Sequence, residues 1–162
     1  MNAAPPVEHD AAPKRPQQLF LDTNVFIVGA AFADSPEAAI LDWAGFGSAP
    51  RDDVVILVSD ALFQQIARVA RRLRHKDWAG EIIGRIWRHM TVDFVLLNDV
   101  EIRRIESEGY IPREDITVYL TALNGRADCF VSANHELIRL LAEQTGSFEC
   151  ITPARFVEIY LS

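Results

Sequence analysis

Three places in the chain set oxygen-bearing side chains directly after an apolar run. Asp22, followed by Thr23 and Asn24, ends the run Gln18-Leu-Phe-Leu; Asp115 closes the loop Ile111-Pro-Arg-Glu-Asp; and Ser132-Ala-Asn-His-Glu136 follows Asp128-Cys-Phe-Val. Each has an ordinary explanation. Asp and Asn are favoured helix caps, which covers Asp22 and Asn134. An acid in the first turn of a helix complements its dipole, which covers Asp115, and His135 and Glu136 suit a solvated first turn. Brought to one sheet edge, the same residues have a second reading. Clustered carboxylate and carbonyl oxygens repel, or stay unpaired, unless a cation joins them, and an all-oxygen set suits Mg²⁺ or Mn²⁺.

The elements that must position these residues are legible as an alternation of periods. Short apolar runs recur at Gln18–Asp22, Val54–Ser59, Thr91–Leu97 and Asp128–Ser132, with a shorter one at Phe148–Ile151. They have the unbroken apolar character of strands buried on both faces. Between them the apolar spacing turns helical: Leu62, Ile66, Val69, Ala70 and Leu73 share a face, as do Ile82, Ile83, Ile86 and Met90. Leu120 and Leu123 suit a helix after Arg113, Leu137, Leu140 and Leu141 another, and Pro153 after a Thr152 cap starts the last. Strands alternating with helices require crossovers, hence a mostly parallel sheet sandwiched by helices, an α/β fold. Sites in such sheets form outside the carboxyl ends of the strands, which singles out Asp22, Ser59, Asn98 and the Ser132–Asn134 turn.

A chain of 162 residues with 49% hydrophobic content suits one domain with a substantial core. Residues 1–17, with four prolines and little that is large and apolar, read as a mobile tail, and 18–162 as the domain. The composition excludes collagen-like and coiled-coil chains. No apolar run approaches the ~20 residues of a membrane helix, and the start has no hydrophobic leader, so the expectation is a cytoplasmic protein without a membrane partner. Cys129 and Cys150 form no CxxC pair, which disfavours a zinc or disulfide framework. A glycine-rich phosphate loop of the GxxxxGK[ST] type is absent.

The net charge of -7 argues against a polyanionic partner on average, but the distribution is uneven. Between Arg68 and Arg88 lie Arg68, Arg71, Arg72, Arg74, Lys76, Arg85 and Arg88, opposed only by Asp77 and Glu81. The five from Arg68 to Lys76 are the candidates for phosphate contact, against the alternative of a solvated outer helix face. Trp78 and Trp87, in the same stretch, suit core packing better than base stacking. The segment from Ile82 to Trp87 also offers an apolar face for a partner or a second subunit.

Three segments resemble one known family. Leu19-Phe-Leu-Asp-Thr-Asn-Val-Phe-Ile27 is similar to the opening strand of PIN domains, Ala127–Leu137 to their later strand and turn, and Ile151–Phe156 to their closing segment. The likeness runs from about residue 18 to 160. It implies a three-layer α/β/α fold and a Mg²⁺- or Mn²⁺-dependent ribonuclease, typically the toxin of a toxin–antitoxin pair. The implied partners are RNA, an antitoxin protein and a second copy of the chain. Position by position, Asp22, Asp115 and Asn134 match the catalytic, metal-holding positions, Asn134 standing where many members have Asp. Thr23, Asn24, Ser132 and Glu136 are the surrounding groups, with Asn24 or Ser132 orienting a ligand or a water. The departure is at Gln64 and Gln65, where members with an intact acidic site carry a Glu. With Asn134 as well, the formal charge of the site falls from four to two unless Asp60 or Glu136 compensates. The resemblance therefore carries an alternative: a catalytically weakened PIN domain that binds RNA or a protein.

Overall fold

The computed structural model describes residues 14–162. The chain enters the sheet at its centre. Strand β1 (Gln18–Leu21) is followed by helices α1 (Thr23–Ala31) and α2 (Pro36–Trp43), then β2 (Val55–Val58), α3 (Asp60–Leu73), α4 (Lys76–His89) and β3 (Val92–Phe94). Next come α5 (Asp99–Glu108), a 3₁₀ turn at Arg113–Asp115, α6 (Ile116–Asn124), β4 (Cys129–Val131), α7 (His135–Gln144) and β5 (Glu149–Ile151). Helix α8 (Pro153–Phe156) and a π-helical segment (Val157–Leu161) close the chain.

All five strands are parallel, in the order β3-β2-β1-β4-β5. Leu19, Phe20, Leu21, Ile56, Leu57, Val58, Cys129, Phe130 and Val131 are fully buried, so both faces of the central strands are covered, as crossover helices require. Phe20 and Phe130 stack with ring centroids 5.1 Å apart across β1 and β4. The chain moves outward from β1 through β2 and β3, then returns to the other side of β1 through β4 and β5. The order therefore reverses between β1 and β4, the place where open α/β sheets leave a crevice.

Helix α3 shows how the sequence makes these layers. Ser59 caps it, its hydroxyl accepting from the Leu62 amide at 3.3 Å, and Leu62, Ile66 and Ala70 turn inward. Leu73, expected on the same face, is exposed instead, because it is the last residue of the helix and the chain departs there toward α4. Strand β3 is shorter than the expected Thr91–Leu97. It is an edge strand with one neighbour, and β2 ends at Val58, so the ladder stops with the Val95 amide on the Val58 carbonyl. Trp78 is core, whereas Trp87 faces outward. The apolar stretch around it is thereby split, since Ile82 and Ile86 are buried.

Most of the expected tail lies outside the described residues. Its last residues are tied to the body: the Arg15 side chain donates to the Tyr160 carbonyl, and the Gln17 amide, like that of Gln18 at the start of β1, donates to Asp128 Oδ2 at 2.9 Å. Among the described residues no single helix is long and apolar enough to cross a membrane.

Candidate active site

The crevice between β1 and β4 is built around Asp22. Its amide donates to the Val131 carbonyl at 2.9 Å, so its backbone is still held by the sheet. Its carboxylate is buried and caps α1, Oδ1 accepting from the Thr23 amide at 2.8 Å. Oδ2 accepts from the Ser132 hydroxyl at 2.7 Å and, at 3.4 Å, from the Asn24 amide nitrogen. Ser132, fully buried after β4, also accepts from Asn24 Nδ2 and from the Asn134 amide. Asn24 Oδ1 accepts from the Ala133 amide, so Asn24 fastens the first turn of α1 to the turn after β4. On the other side Thr23 Oγ1 donates to Gln65 Oε1 at 2.7 Å, joining α3 to the end of β1.

Asp115 ends the 3₁₀ turn and, unlike Asp22, makes no capping hydrogen bond. It is half-buried. Burial raises its carboxyl above the ordinary carboxylate range, and the charges of Glu114 and Asp22 raise it further. Burial raises Asp22 too, against the weaker downward pull of the Ser132 and Thr23 hydrogen bonds. Each effect disfavours an isolated negative charge. The two carboxyl groups line one hollow of about 270 Å³ with Asn24, Gln65 and Asn134, against an apolar wall that includes Ile27, Val69 and Val118.

The hollow thus gathers Asp22, Asp115, Asn134, Thr23, Asn24 and Gln65, with Ser132 hydrogen-bonded directly to Asp22. Besides Ser132, which reaches it only through Asp22, two expected members do not line it. Gln64 is exposed, donates to Asp60 Oδ2 at 2.7 Å and faces the neighbouring grooves. Glu136 is exposed in the first turn of α7. Neither Asp60 nor Glu136 therefore supplies the missing charge. Asn134 serves as a cap, its Oδ1 accepting from the Leu137 amide at 3.2 Å, while still lining the hollow. Among the described residues no group of three or more His, Cys, Asp or Glu side chains converges. The donors present are two carboxylates and neutral carboxamide oxygens, a set whose chemistry suits a hard divalent cation that keeps several waters.

Removing the Ser132 hydroxyl leaves Asp22 Oδ2 with only the long Asn24 contact. Ser132→Ala is expected to lower stability by about 1–2 kcal/mol and any metal-dependent activity by roughly 10–100-fold, as loss of a group that orients a metal ligand does. Thermal melting and initial rates check both numbers.

The basic stretch separates into parts. Arg68, Arg71 and Arg72 line a groove of about 760 Å³ on the outer side of α3. Arg74 lies over the Trp78 ring at 4.3 Å, and Lys76 is exposed at the start of α4. Arg113, which sequence reasoning passed over, shares a hollow of about 490 Å³ with Gln64, Gln65 and Arg68. Its signal was its place two residues before Asp115 in the same loop. Phe63 and Phe94 were also passed over; they meet Trp87 on the surface at centroid distances of 5.4 and 6.3 Å.

No protein-family profile matches the chain, and no curated protein matches it. Five chains of solved structures do. Among them is VapBC2 from Rickettsia felis, whose crystal structure was determined bound to a DNA fragment from its promoter; the match has a TM-score of 0.54 and 13% identity over 84% of this chain and 98% of that one. At that identity the likeness concerns the fold: a parallel five-stranded sheet in a three-layer α/β/α arrangement of the PIN type.

Proposed function

We propose that the chain is a divalent-metal-dependent ribonuclease, hydrolysing phosphodiester bonds in RNA with Mg²⁺ or Mn²⁺, and that it acts as the toxin of a toxin–antitoxin pair. The observation that carries this reading is the shared hollow of Asp22 and Asp115 at the reversal of strand order, where each carboxyl group is raised by burial and Asp115 also by the charge of Asp22. Two acids held together against their own repulsion are explained by a cation. Asp22 and Asp115 would hold it, with Asn134 and Gln65 as neutral oxygen donors. Such a cation, when bound, activates a water and neutralises charge on the phosphate.

The protein's own contribution is orientation. Ser132 and the Thr23 amide fix both oxygens of Asp22, Asn24 holds the two strand-end turns together, and Gln65 is aimed by Thr23. Arg68, Arg71 and Arg72, with Arg74 and Lys76 beyond them, supply the positive side for an RNA backbone. An antitoxin protein, a second copy of the chain and a cytoplasmic setting belong to the same reading.

One observation favours a second reading, a weakened PIN domain that binds RNA or protein without cutting: Gln65 stands in the hollow where an acid would complete the site. The experiment separating them is incubation of the purified protein with structured and unstructured RNA in Mn²⁺ and in chelator. Cleavage in Mn²⁺ alone supports the nuclease; intact RNA in both, with RNA retained by the protein, supports the module.

A further inference from the structure

The surface of α3, α4 and β3 carries a cluster of three aromatic rings, of which Phe63 is half-buried against the core and the other two are exposed. Trp87 is 49% exposed and Phe94 40% exposed. Their rings lie within 16° of parallel at 6.3 Å, and Phe63 adjoins both, at 5.4 Å from Trp87 and 6.4 Å from Phe94. Adjoining exposed rings form a contiguous apolar patch, the kind of surface that binding sites use.

The charge beside the rings says what would bind. Phe63 is also a wall of the groove that holds Arg68, Arg71 and Arg72. Among the described residues none of these three arginines makes an ion pair. The one acid in that groove, Asp60, accepts a hydrogen bond from Gln64. The groove is linked to the candidate active site through shared lining residues. It shares Gln64 and Arg68 with the next hollow, and that hollow shares Gln65 with the one holding Asp22 and Asp115. A ligand for this track must offer flat faces to aromatic rings and regular negative charge to the arginines. A single nucleic-acid strand does both, whereas a duplex hides its base faces.

We propose that Phe63, Trp87 and Phe94, flanked by Arg68, Arg71 and Arg72, form a stacking subsite for single-stranded RNA that runs from the Asp22 hollow. The inference rests on the ribonuclease reading for the polymer's identity, and its test is independent of cleavage. Binding of a fluorescent single-stranded oligoribonucleotide is measured in chelator, on the chain carrying Asp22→Asn, with the same sequence as a duplex in parallel. Trp87→Ala and Phe94→Ala should each weaken single-strand binding about 5- to 10-fold, within the range seen for loss of a base-stacking ring. Trp87→Phe should restore most of it, and Arg71→Gln with Arg72→Gln should flatten the salt dependence.

Unchanged affinity in Trp87→Ala, or duplex binding that is equally strong and equally dependent on Trp87, overturns the subsite. So does conversion of a dimer to a monomer by Trp87→Ala with RNA affinity unchanged, which would assign the rings to contact between copies. Trp87-dependent binding by a protein that never cleaves RNA keeps the subsite and removes the nuclease. Asp22-dependent cleavage with Trp87-independent binding does the reverse.

Discussion

Asp22→Asn is expected to abolish metal-dependent RNA cleavage, a loss of at least ~100-fold, since removal even of groups that merely support a metal ligand costs 10–100-fold, while leaving the metal-free protein no less stable at neutral pH. The two halves follow from one fact. Burial raises the Asp22 carboxyl above the ordinary carboxylate range. For an acid whose folded pKa lies above its unfolded one, the associated stability is full below the unfolded pKa and is lost as the pH rises through the folded pKa. At neutral pH, above the unfolded pKa, the fold therefore bears a cost for the buried Asp22 carboxyl that it does not bear in acid. Asparagine removes the charge and keeps an oxygen for the Thr23 amide, while its Nδ2 meets the Ser132 hydroxyl, which must then accept where it donated, so the charge relief is set against a rearranged hydrogen bond. Thermal melting in chelator should show the variant at or above the parent, with the difference vanishing in acid, where Asp22 is itself neutral. At sub-saturating Mn²⁺, metal binding by the parent should begin to weaken on acidification at a higher pH than for ordinary carboxylates, because the metal-free Asp115 carboxyl is raised as well. A variant that melts well below the parent and still cleaves would make Asp22 a structural cap alone.

The second large effect separates two adjacent glutamines. Gln65→Glu adds a third carboxylate to the hollow with Asp22 and Asp115. Two unit charges about 4 Å apart attract by roughly 4 kcal/mol at an effective dielectric constant near 20, and the double charge of Mn²⁺ makes that roughly 8 kcal/mol. Repulsion among the acids and their desolvation offset part of that, so Mn²⁺ affinity should rise about tenfold or more, and cleavage with it. The Thr23 hydroxyl can donate to a carboxylate as it does to the Gln65 amide oxygen, so the side chain keeps its aim. Without metal the same variant should melt lower than the parent, and Mn²⁺ should restore it. Gln64→Glu should do none of this: Gln64 is exposed and lies against Asp60, so a charge there only repels its neighbour. Calorimetric titration of both variants with Mn²⁺ gives the contrast, and equal gains from both would detach Gln65 from the site.

Much of this arrangement was legible in the sequence because it is local. Apolar runs stopping at a polar residue marked the strand ends, and the rule that sites lie there pointed to Asp22 and to the Ser132–Asn134 turn before any coordinates. The helix phase held more than was taken from it: Gln65 lies four residues before Val69, and both border the hollow, whereas Gln64 is one position out of phase. Non-local features were not legible. The rings of Phe63, Trp87 and Phe94 come from three elements, and no period along the chain brings them together. Whether Asp115 would spend its carboxylate on a cap depended on the 3₁₀ turn before it, a detail of backbone geometry that composition does not carry.

The amide of Asp22 belongs to the sheet, bonded to Val131 between the two innermost strands, and Asn24 and Ser132 lock the flanking turns onto the same point. The candidate site thus shares its hydrogen bonds with the centre of the sheet, so exchange of the Asp22 amide is expected to require opening of the central strands. Control of the proposed activity would then fall to whatever covers the entrance of the hollow, since loosening that site would open the central strands with it.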